Sequence, residues 1–148
     1  MPSRHPGAVT TRAQDLARIA LGAFLAFAGT SHLLWARQTF LAQVPDWVPL
    51  DADLVVVLSG VVEIVLGIAL ISVTRHRHQV GWCAAAFFVA IFPGNVSQFV
   101  DGDAAFGLDS DLARGFRLLF QPVLVAWALW STGAWSAWRN GRRPDVRA

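Results

Sequence analysis

One carboxyl group stands in the most apolar part of this chain. Glu63 is the only glutamate in the sequence, about ten residues into a hydrophobic run over 54–74. A carboxylate at mid-bilayer costs about 2.5–3.5 kcal/mol on insertion scales, so such a group faces a bundle interior and has partners there. Other apolar runs carry polar groups at matching depth: His32, Asn95, Arg117 and Gln121, with Ser59 one helical turn before Glu63. Together these types can hold a small polar ligand. The carboxyl accepts or donates a proton, the guanidinium tunes it, and the amides orient a carbonyl by hydrogen bonds. His32, Ser59, Glu63, Asn95, Arg117 and Gln121 are thus the candidate ligand-binding or polar core. The competing reading is an interhelical lock that only fixes bundle register. No metal is expected, because His5 is terminal and His76 and His78 fall in a connection, leaving His32 without a second inward ligand.

The elements that must position these groups follow from composition. The chain has 148 residues, 55% hydrophobic and 15% charged, against about 45–50% and 25% in an average soluble domain. That balance excludes disorder and collagen-like repeats and points to a single membrane domain. A bilayer core needs roughly 20 mostly apolar helical residues per crossing. Four segments qualify, at about 16–35, 54–74, 80–100 and 115–138, leaving polar tails at 1–12 and 139–148. The expected fold is all-α, a transmembrane four-helix bundle. A cleaved signal peptide over the first run, with Ala26 and Ala28 at its end, is the alternative for that segment.

Charge sets the expected orientation. Arg4, Arg12, Arg18, Arg75, Arg77, Arg139, Arg142, Arg143 and Arg147 fall on one side, against Arg37, Arg114 and Arg117 on the other. Arginine near span ends marks the cytoplasmic face, so both termini are expected inside. These arginines do not cluster on one solvated face, which argues against nucleic acid. Seven tryptophans suit two membrane interfaces. Cys83, the lone cysteine, allows no intrachain disulfide and is expected to pack near the inner end of the third span.

Small residues sharpen the faces. Gly60, Glu63 and Gly67 share one face of the second span, and Gly22, Gly29 and His32 one face of the first; such stripes let helices approach closely. Pro93 and Pro122 cannot donate backbone hydrogen bonds, which frees the Val89 and Leu118 carbonyls for the polar side chains nearby. These faces are expected to enclose one polar cavity opening toward the outside. The stiff connection Val44-Pro45-Asp46-Trp47-Val48-Pro49-Leu50-Asp51 then serves either as a lid over it or as a rigid turn delivering Asp51 as N-cap.

Several motifs resemble the DoxX-like family of small four-helix bacterial membrane proteins. They are Gly29-Thr30-Ser31-His32, Val44-Pro45-Asp46-Trp47-Val48-Pro49, the stretch from Ser59 through Glu63 to Gly67, Phe92-Pro93-Gly94-Asn95 and Arg117-Leu118-Leu119-Phe120-Gln121-Pro122, in order over about 16–138. The resemblance implies a multi-pass protein of the bacterial cytoplasmic (inner) membrane. It further implies a quinone or small-molecule site and a redox protein partner as the membrane subunit of an oxidoreductase complex. No cysteine, flavin or metal motif in this chain supplies electrons, so a partner would bring them. Two other functions fit the residues: a non-catalytic scaffold docking a partner through its acidic outer loops, and a small solute or proton carrier. The two halves show no internal similarity of the kind that marks inverted-repeat carriers.

Overall fold

The computed structural model describes residues 10–41, 44–101 and 111–141, apart from the side chains of 98–99, 101 and 111–117. The described residues form helices and turns, with no strand. Six helices follow in order: α1 Arg12–Leu34, α2 Arg37–Leu41, α3 Ala52–Ser72, α4 Arg77–Asp101, α5 Asp111–Ser131 and α6 Ala134–Gly141. The long helices start where side chains can satisfy orphan amides. Thr11 accepts from Gln14 N while the Gln14 side chain accepts from Thr11 N, a full capping box at α1. Asp51 accepts from Leu54 N at 3.0 Å and caps α3, as its place after the proline-rich connection predicts.

Helices α1, α3 and α4 are each long and apolar enough to cross a membrane. The expected fourth span at 115–138 is not one straight helix. It breaks at Gly133 and turns by 68° into α6. The cause is local: Gly133 takes φ +71°, Gly133 N donates to Trp130 O, and Thr132 Oγ1 donates to Ala128 O at 2.7 Å. A left-handed glycine of this kind ends a helix. Gly81 of α4 seats the break, since a Cβ on it would lie 2.8 Å from Thr132 Cβ. The connection expected over 37–53 likewise contains the short helix α2.

Packing is tightest between antiparallel α1 and α3. Gly22 lies against Gly67, and Gly29 against Gly60. A Cβ on Gly22 would come 2.7 Å from the Gly67 carbonyl oxygen, and one on Gly60 2.9 Å from His32 Cβ. The backbones can be this close only because all four residues lack side chains. Leu21, Leu25, Leu70, Ala84, Phe88, Leu124 and Ala128 fill the bundle interior. Its outside is equally apolar: Leu58, Val65, Ile68, Val89, Leu119 and Val123 are all at least half exposed. Helices apolar all round suit a lipid surrounding.

Candidate functional site

The α1–α3 contact delivers the central groups. His32 enters from the last turn of α1, and Ser59 and Glu63 from one face of α3; His32 and Glu63 are about 5% and 6% exposed. His32 Nδ1 stands 3.4 Å from Glu63 Oε2 and 3.4 Å from Ser59 Oγ. The Ser59 hydroxyl donates to Val56 O at 2.9 Å. Glu63 Oε2 accepts no hydrogen bond, so a buried carboxyl oxygen is held near a histidine edge without being satisfied. The Phe40 ring lies over the imidazole, with centroids 3.4 Å apart. Arg37 on α2 pairs through two nitrogens with the carboxylate of Asp53 at the start of α3, Nε lying 2.5 Å from Oδ1. That pair fixes α2, and so Phe40, against the site. It also raises the Arg37 pKa still further, through the hydrogen bond to Asp53.

The opposite wall comes from α4 and α5. Asn95 Nδ2 donates to Gln121 Oε1 at 2.9 Å, and Gln121 Nε2 donates to the Phe88 carbonyl. Both amides are buried. The carbonyl they reach is therefore Phe88, one residue before the Val89 carbonyl that Pro93 frees.

These walls border a half-open cavity of about 500 Å³ lined by His32, Ser59, Glu63, Asn95 and Gln121. The rest of its surface is mainly apolar and aromatic. Val44, Pro45, Trp47, Val48 and Leu50 line it too, so the proline-rich connection borders the cavity while also delivering the Asp51 cap. Arg117 belongs to α5, but its side chain is not among those described, and residues 102–110 lie outside the described residues. Among the described residues no three His, Cys, Asp or Glu side chains gather to hold a metal.

Three features escaped the sequence. Phe40 lies in a segment with no periodicity to mark it as a wall, whereas Trp47 lines the cavity from the connection that the sequence offered as a lid or a rigid turn. Arg18, which counts by position as a membrane-end charge, is 4% exposed; its guanidinium donates to the Leu70 and Ile71 carbonyls, the latter at 3.2 Å. Those carbonyls close α3, where a cation also meets the negative end of the helix dipole. Cys83, expected to have a plain packing role near the inner end of its span, is exposed on α4. The face of α4 that enters the core runs through Ala84, Ala85 and Phe88 and turns Cys83 outward.

Residues 21–132 match the model of a protein family described as a domain of unknown function (DUF8561). No curated protein and no solved structure matches the chain. The match corrects the DoxX-like resemblance: the stretch that carried those motifs is covered by DUF8561, and no DoxX-like family matches. The motifs that suggested it are short helical pieces of small and apolar residues, which any close-packed membrane bundle uses.

Proposed function

The chain belongs to the DUF8561 family, whose description assigns no chemistry, and from the geometry alone we propose that it is a multi-pass membrane protein binding a small amphipathic ligand between its helices. The carrying observation is the Glu63 carboxyl oxygen, buried and without a hydrogen bond, beside a cavity of about 500 Å³. A site of this size with few polar groups in apolar walls has the usual make-up of a small-molecule site. Glu63, Ser59 and His32 receive the polar end of the ligand, and the aromatic walls receive the rest. The quinone and the redox partner rested on the DoxX-like resemblance and lose their basis with it. The arginine distribution supports both termini on the cytoplasmic side, which turns the cavity, at the end where α1 stops and α3 starts, toward the outside.

The lock reading suits part of the set. Asn95 donates to Gln121, which donates in turn to the Phe88 carbonyl, so they tie α4 to α5 and shape the wall. To test the reading, protein purified in mild detergent is extracted with organic solvent and bound small molecules are identified by mass spectrometry. A stoichiometric molecule that disappears in Glu63→Gln, with the thermal unfolding midpoint unchanged, supports the site. A Glu63→Gln protein that carries no less ligand but melts earlier identifies Glu63 as a structural lock.

A further inference from the structure

The electrostatics of this cavity select among ligands. Among its described lining residues, Glu63 is the sole acid and no arginine is present. The two arginines described nearest the ends of α3 are engaged elsewhere, Arg18 with the Leu70 and Ile71 carbonyls and Arg37 with Asp53. The group nearest the carboxyl is His32, with Nδ1 3.4 Å from Oε2, and the aromatic rings of Phe24, Phe40, Trp47, Phe88 and Phe120 line the same space. Ring faces carry negative potential and attract cations within about 6 Å of the centroid, most strongly where water is excluded. A hard metal ion needs several oxygen ligands, and no group of three candidate ligands gathers among the described residues. A diffuse organic cation needs only one counter-charge and apolar contact, and loses less on leaving water.

Resting on the binding reading above, we infer that the ligand is a lipophilic organic cation, its charge against the buried Glu63 carboxyl oxygen and its apolar groups among the aromatic walls. The juxtaposition behind this is an unsatisfied acidic oxygen with rings from α1, α2, α4, α5 and the 44–50 connection. A primary amine or ammonium head also meets the Ser59 hydroxyl oxygen; a quaternary or phosphonium head uses charge and rings alone.

The full chain in detergent is titrated with tetraphenylphosphonium, with tetraphenylborate of the same shape and opposite charge, and with uncharged triphenylphosphine oxide. Binding is followed by calorimetry. Saturable binding of one phosphonium per chain, about tenfold or more tighter than the borate, is the expected result. Glu63→Gln removes that preference while leaving the phosphine oxide affinity within about twofold. Trp47→Ala, on the connection and away from the helix packing, weakens phosphonium binding in a protein of unaltered melting point. Equal or tighter binding of the borate overturns the inference. So does binding of the phosphine oxide alone, in which case the ligand site stands and only its cationic character falls. If none of the three binds, the inference also falls, and the solvent extraction decides separately whether the cavity holds anything.

Discussion

Gly29 of α1 and Gly60 of α3 meet backbone against backbone, and the contact sets how near His32 can come to Glu63. A Cβ on Gly29 would press on the Gly60 carbonyl oxygen and lie 2.9 Å from Glu63 Cβ. One methyl at this point therefore separates the helices and opens the site in the same movement.

Gly29→Ala is expected to lower stability by about 1–3 kcal/mol, the usual range for overpacking. Gly67→Ala, whose Cβ would lie 2.5 Å from the Gly22 carbonyl oxygen, behaves alike. Thermal unfolding in detergent, followed by helical circular dichroism, measures both. Unchanged melting in the two variants rules out the close α1–α3 approach.

Removal of the Arg18 guanidinium leaves the Leu70 and Ile71 carbonyls without their cross-helix donor. Arg18→Met should cost about 1.5–3 kcal/mol, as for hydrogen bonds to charged groups, and Arg18→Lys should recover part of it. Were Arg18 only a charge at the membrane surface, Met would melt close to the native protein.

The Asn95–Gln121 pair calls for a double-mutant cycle with leucine at each position. Coupling of about 0.6–1.7 kcal/mol is expected for a hydrogen bond between membrane helices. Additive losses would show that the two amides act independently.

At Gly133, φ +71° puts any L side chain at a disadvantage. Gly133→Ala should destabilise by about 1–2 kcal/mol, and Gly133→Asn by less, since asparagine tolerates that region. If alanine stabilises instead, α5 and α6 form one continuous helix.

Cys83 reports on the surroundings of the bundle. Exposed on α4, it should react with a small uncharged maleimide in detergent yet resist a charged one in intact vesicles. Cys83→Ala should shift stability by no more than about 0.5 kcal/mol. Rapid labelling by the charged reagent in vesicles contradicts insertion of α4.

Much of this architecture is legible in the sequence because long apolar helices announce themselves by length and hydropathy. The expected run at 54–74 appears as Ala52–Ser72, and that at 80–100 as Arg77–Asp101. The glycine stripe flanking Glu63 is readable for the same reason, since little else belongs there. The Gly133 break is hidden because Trp135 and Trp138 keep the apolar run going across it. Arg18 is misread because position along a span says nothing of which carbonyls lie across the interface. Charge type alone places a guanidinium in water, and only the partner helix shows that α3 ends beside it. Cys83 illustrates the same limit, since a helix apolar all round has no polar face to reveal which side is inward.

The α1–α3 glycines recur at intervals of seven, and that regularity leaves the pair ambiguous. A slip by one repeat would bring Gly29 beside Gly67, preserving one close approach of the two in the native pairing. His32 would then look onto Leu66 and Leu70 instead of Ser59 and Glu63. The slip would bury the imidazole and the carboxyl apart from one another among leucines, losing the 3.4 Å approaches of His32 to Glu63 and Ser59, so the polar groups act as the registration marks of a seam that is otherwise repetitive. The same side chains that reject the wrong alignment are those proposed to greet the ligand. Any substitution that improves one of these tasks is therefore constrained by the other.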